Sequence, residues 1–206
     1  ITLMNEIIGH FRETGEFDKS IEYCEQVLLL MKKMGLEGSV AYATTLLNVA
    51  NAYRAAGLLR ESMAAFQAVQ SIYEGTISYH DFRYASLYNN MSLLFQEMGD
   101  FESACDCLER ALGIATQYSN AEIEVAVTYT NLAVSQLKLG RYEEAIINLR
   151  RAFAIFERDD NRDYHYSGAL SAMREAQYLA GNLEEAEEYY QIALEKIEKN
   201  VGRNKA

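Results

Sequence analysis

Asn131-Leu132-Ala133-Val134-Ser135-Gln136-Leu137-Lys138-Leu139-Gly140-Arg141-Tyr142-Glu143-Glu144-Ala145-Ile146-Ile147-Asn148-Leu149-Arg150-Arg151-Ala152-Phe153 contains two helical patterns separated by one glycine. After Gly140, the residues Tyr142, Ala145, Leu149 and Ala152 recur at intervals of three and four, which is one face of a helix. Glycine ends the first helix at little cost, because it adopts positive φ without a Cβ penalty.

The same frame surrounds Gly15, Gly57, Gly99 and Gly181, so successive glycines lie 42, 42, 41 and 41 residues apart. Five residues after each glycine stands Ser20, Ser62, Ala104, Ala145 or Ala186. Twelve residues after stands Val27, Val69, Ala111, Ala152 or Ala193. Small residues at these places allow two helices to approach closely, while Cys24, Phe66, Leu108, Leu149 and Tyr190 at the ninth place fill the space beyond. Before the glycine, Leu46, Val49, Ala50 and Tyr53 illustrate the apolar face of a first helix. Each repeat is therefore helix, tight turn, helix. A lone hairpin cannot cover its own apolar surface, so the hairpins must stack.

The reading is an all-α, right-handed α-solenoid of five hairpins, forming one domain over 1–206. Its repeats run at about 1–34, 35–76, 77–118, 119–160 and 161–200. Breaks are expected at Met34 to Gly38, Glu74 to Thr76, Tyr118 to Asn120 and Asp159 to Asn161. Asp100 and Asn182 are expected as N-caps, and Ser119 with Glu122 as a capping box. Glu187 stands where Ile21, Met63, Cys105 and Ile146 stand in earlier repeats. With Glu184, Glu188, Gln191, Glu195 and Glu198 it predicts a polar outer face that ends the stack.

Composition excludes several classes. Of 206 residues half are apolar and 24% are charged, which supports a buried core. The net charge of -11 disfavours nucleic acid and anionic membranes as partners. No apolar run is long enough to span a bilayer. Three cysteines without framework spacing fit a reducing, cytoplasmic setting.

The frame quoted above resembles the tetratricopeptide repeat over essentially the whole chain. Tyr53 and Phe95 stand at the family's aromatic position four residues before the glycine, while Gln136 and Gln177 depart from it. The period exceeds the family's common length of roughly 34. It is similar to the long-helix subclass of kinesin light chain and bacterial peptide-sensing regulators, with about one further turn in each helix.

The resemblance implies binding of a protein or peptide rather than catalysis. Asn48, Asn90 and Asn131 each lie nine residues before their glycine. A mid-helix asparagine offers a donor and an acceptor, either to a bound peptide backbone or to the neighbouring helix. By analogy with the family, the groove also takes Asn51, Asn89, Leu93, Val134, Lys138 and Tyr178, beside Leu47, Arg54, Gln96, Thr130, Ser171 and Glu175. Thr44, Ser86 and Val127 occupy sites where a chaperone-tail receptor would carry lysine. Tyr53, Tyr88, Tyr129, Tyr142 and Tyr190 are expected in the core.

No catalytic constellation, cofactor motif or metal site is read from the chain. Cys105 and Cys107 point about 200° apart on one helix and cannot chelate together. Asp159 to Asp163 begins like a calcium loop, but Tyr164 replaces the required glycine. Asn90-Met91-Ser92 matches a glycosylation acceptor in mid-helix. Three readings compete: a non-catalytic protein- or peptide-binding scaffold, a peptide-sensing domain of a larger regulator, and a module that forms a homodimer through apolar patches.

Overall fold

A computed structural model describes residues 2–158 and 164–203. They form ten helices and, among the described residues, no strand. The helices are α1 (Thr2–Glu13), α2 (Phe17–Lys33), α3 (Val40–Ala55), α4 (Leu59–Thr76), α5 (Phe82–Glu97), α6 (Phe101–Ala115), α7 (Glu122–Lys138), α8 (Tyr142–Phe156), α9 (Tyr164–Leu179) and α10 (Leu183–Arg203). Every first helix ends two residues before its glycine. All five turn glycines have positive φ: Gly15 77°, Gly57 76°, Gly99 76°, Gly140 74° and Gly181 85°.

Backbone hydrogen bonds explain the sharp stop. At Gly57 the amide of Leu58 reaches back to the carbonyl of Tyr53 (2.9 Å), closing the helix end around the left-handed glycine. The same bond joins Glu16 to Phe11 (2.8 Å), Arg141 to Gln136 (2.9 Å) and Asn182 to Gln177 (2.9 Å). The carbonyl that accepts it always belongs to the residue four before the glycine.

The chain divides into two compact units, Ile1–Gly99 and Asp100–Ala206. In the first, α3 packs on α4, α2 and α1, and α5 packs on α4 and α3. Two hydroxyls lock its hairpins: Ser20 Oγ donates to the carbonyl of Ile8 (3.1 Å), and Ser62 Oγ to that of Ala50 (2.8 Å). Cys24, Val27, Phe66 and Val69 are fully buried.

In the second unit, α7 packs on α6, α8 and α9, and α9 also packs on α8 and α10. Ala145, Leu149 and Ala152 of α8 are fully buried against Ala126, Ala133, Ala169, Met173 and Ala176. A smaller cluster joins Cys105 and Leu108 to Leu132. Ala104 is also fully buried, as a close helix contact requires.

Four expectations are corrected. Helix α4 runs through Gly75 to Thr76, so the break falls at 77–81 rather than at Glu74 to Thr76. Ser119 does not cap α7, whose N-cap is Ala121 and makes no side-chain cap bond. Ser119 lies too far before the helix for its hydroxyl to take that role. Tyr190 is 46% exposed rather than core, because it stands at a surface depression beside Tyr178 and Leu183.

The outer face of α10 is not uniformly polar either. Leu183, Tyr190, Ile192 and Leu194 are exposed beside the exposed Glu187.

Side-chain caps are found at Ser39, which accepts from the Tyr42 amide (3.1 Å), and at Asp81, which accepts from the Arg83 amide (3.0 Å). Asp100 caps α6 as expected, accepting from the Ser103 amide (3.1 Å). Asp159 to Asp163, which resembles a calcium loop, lies outside the described residues.

Candidate peptide-binding face

In the first unit a polar seam crosses the first helices. Asn5 on α1 donates through Nδ2 to Thr45 Oγ1 on α3 (3.2 Å), and the Arg54 guanidinium on α3 pairs with the Glu97 carboxylate on α5. Between these links lies Asn51, which is 7% exposed. Three buried polar atoms in this seam have no hydrogen-bond partner: Asn5 Oδ1, Asn51 Oδ1 and Arg54 Nε.

Such atoms are uncommon, since leaving a buried donor or acceptor unpaired costs about 1–3 kcal/mol each. Asn51 and Arg54 lie three residues apart, which places them side by side on one helix face. Asn51 Oδ1 is an acceptor and Arg54 Nε a donor, together the complement of one peptide group.

The other candidate residues of this unit are half-buried: Asn48, Asn89, Asn90 and Leu93. Asn90 Nδ2 donates to the carbonyl of Ser86 in its own helix (2.8 Å). Neither of the two roles considered for Asn90 describes that bond, which turns one donor back on α5.

In the second unit, Asn131 lines a cleft of about 370 Å³ with Val127 and Thr130 of α7 and with His165, Ser167 and Gly168 of α9. Val134 is half-buried and packs against the core of this unit. Lys138 is exposed, and its Nζ meets Glu175 Oε1 on α9 at 3.3 Å. Tyr178 is 64% exposed and lies in a different depression, with Leu183, Ala186, Glu187 and Tyr190 of α10. Asn131 and Tyr178 therefore do not share one pocket.

Asn5, Thr45, His165 and Ser167 belong to these surfaces although the sequence reading does not single them out. One signal was available: Asn5 precedes Gly15 by ten residues, as Asn89 precedes Gly99.

The thiols are chemically quiet. Burial pushes Cys24 up to about 12 and Cys105 and Cys107 up to about 11, so the nucleophilic thiolate is scarce at neutral pH. Among the described residues no three His, Cys, Asp or Glu side chains are grouped to hold a metal ion. None of the described helices is long and apolar enough to cross a membrane.

Helical hairpins at a fixed period, each closed by a left-handed glycine and a small-residue contact, define a repeat protein of the α-solenoid class. The tetratricopeptide repeat profile matches residues 1–75 and 83–158, and a second profile of the same description matches 169–205. The chain belongs to the tetratricopeptide repeat family.

Among solved structures, the kinesin light chain nearly identical TPR-like repeats of Podosopora anserina align with a TM-score of 0.79 at 17% identity, covering 98% of this chain and 96% of theirs. BtubC (BKLC) from P. vanneervenii aligns with a TM-score of 0.82 at 18% identity, over 97% of this chain and 80% of its own. NprR in complex with its cognate peptide NprX aligns with a TM-score of 0.65 at 17% identity, over 89% of this chain and 51% of NprR. No curated protein matches the chain by sequence.

Proposed function

We propose that the repeats act in protein binding, without catalysis, and that within a unit the face carried by the first helices holds an extended peptide segment of another protein. The observation that carries this reading is the unpaired, buried polar set on that face, Asn5 Oδ1, Asn51 Oδ1 and Arg54 Nε. A peptide backbone supplies both the donors and the acceptor that these atoms lack. In the second unit the cleft around Asn131 brings an amide, two hydroxyls and an imidazole beside Val127.

Two further observations support the reading. NprR, which shares the fold, was solved with its cognate peptide. The high-pKa thiols provide no activated nucleophile, and three free, buried cysteines fit a reducing, cytoplasmic setting.

Selection from a random displayed peptide library tests the proposal. Enriched peptides should bind the parent protein and lose about tenfold in affinity with Asn51→Leu, the effect of losing about 1–1.5 kcal/mol. The melting temperature should hardly move. Absence of enrichment, or lost stability with binding intact, would reject the reading and leave the asparagine as a stacking residue.

A further inference from the structure

A second cleft of about 490 Å³ opens in the second unit between the second helices α6 and α8, with α7 as its floor. It uses Tyr129, Leu132 and Gln136 of α7, whereas the Asn131 cleft uses Val127, Thr130 and Asn131. At 100° per residue these two sets lie on opposite sides of the helix. The second cleft is therefore separate from the peptide face proposed above, and the inference does not rest on that reading.

Its interior is built from polar side chains that are almost wholly buried. Gln136 is 4% exposed and Asn148 7%. Asn148 Nδ2 donates to Gln136 Oε1 (2.9 Å), and Arg151 donates to Asn148 Oδ1 (3.3 Å) while its guanidinium sits over the Tyr129 ring at 5.6 Å. These contacts fix Arg151 against the wall. The apolar lining comes from Leu112, Leu132 and the exposed Ile147.

Two carboxylates line the opening, Glu109 from α6 and Glu144 from α8. Among the described residues neither forms an ion pair, and Glu144 accepts only a neutral amide hydrogen bond from Gln136 Nε2 (3.3 Å). With Arg151 as the lone cation, the lining carries one net negative charge, on a chain of net charge -11.

Apolar walls beneath two uncompensated carboxylates suit a side chain with a long aliphatic stem and a cationic head. We propose that this cleft is a second protein-docking site, and that its occupant is a basic segment of a partner protein. One arginine or lysine stem lies over Leu132 and Ile147, and its charge is taken by Glu109 and Glu144. Gln136 and Asn148 line the same cleft, and each amide keeps one N–H beyond its bond to Glu144 or Gln136 for the segment's backbone carbonyls.

The test is a titration of the isotope-labelled full chain with acetyl-Leu-Arg-Leu-amide, and with acetyl-Leu-Glu-Leu-amide as the charge-reversed control. The side-chain amide signals of Gln136 and Asn148 should move saturably with the arginine peptide and not with the glutamate peptide. Glu109→Gln and Glu144→Gln remove a charge at exposed positions and keep a side-chain oxygen as acceptor, and each should weaken binding about two- to fivefold. Asn131→Ala should leave it unchanged, which separates this site from the first-helix face.

Equal response to both peptides would overturn the proposal. So would shifts confined to the α7 and α9 side, insensitivity to both glutamate substitutions, or no saturable shift.

Discussion

The first and fourth repeats solve the same packing problem with opposite chemistry. Four residues before the glycine and eight after it stand Phe11 and Tyr23 in the first repeat, and Gln136 and Asn148 in the fourth. Phe11 and Tyr23 stack with ring centroids 5.6 Å apart and planes 30° from parallel. Gln136 and Asn148 instead form a 2.9 Å amide hydrogen bond.

The turn backbone matches in both: φ is 77° at Gly15 and 74° at Gly140, and the amide after each glycine reaches the carbonyl four residues before it (2.8 and 2.9 Å). What varies is the pair of side chains in the gap, an aromatic plug in one repeat and the polar base of a cleft in the other. The frame thus supplies the fold, and departures from the frame supply surfaces that can recognise something.

That comparison can be broken at the frame. Ala145 is fully buried where α7 and α8 meet, so Ala145→Leu should cost about 1–3 kcal/mol by overpacking, read as a lowered midpoint in denaturant. A neutral result would mean that the small-residue contact does not fix the backbone. At the same place in the second repeat Ser62 donates to the Ala50 carbonyl at 2.8 Å. Ser62→Ala should cost about 0.5–1.5 kcal/mol, since alanine keeps the close approach and removes only the hydrogen bond.

The amide pair can be tested by a double-mutant cycle. Gln136→Leu alone strands the Asn148 amide in a buried site and should cost about 1–2 kcal/mol. Adding Asn148→Leu should recover most of it, because the pair then resembles the apolar plug of the first repeat. If the double variant loses as much as the two single changes together, the repeats are not equivalent frames. The smallest effect is expected at Arg141, whose guanidinium holds Glu102 through bonds of 2.8 and 2.9 Å at the exposed surface. Glu102→Gln should shift stability by less than about 1 kcal/mol, and less still in high salt.

The fold was legible because its determinants are local and repeat five times. The glycine spacing and the small residues five places later located every hairpin turn. Chain breaks between repeats were less so. Gly75 reads as punctuation, but its φ is not in the left-handed region, and α4 continues through it to Thr76. Ser119 and Glu122 satisfy a capping spacing that α7 does not use, because the chain enters that helix through Ala121.

The candidate face was legible only as a list of positions. Periodicity indicates which residues share a helix face, yet it does not reveal which polar atoms find partners across helices. Asn90 illustrates the limit, since its amide turns back to Ser86. Asn51 shows the reverse: an unremarkable groove position holds an acceptor that nothing in the protein satisfies.

That acceptor gives the most direct test of peptide binding by the first helices. Asn51→Leu is nearly isosteric and removes a buried acceptor that has no partner, so the melting temperature should stay level or rise. Affinity for a library-selected peptide should fall about tenfold in the same variant. Stability and binding moving in opposite directions is the predicted result. A destabilised protein that still binds the peptide at parental affinity would contradict it.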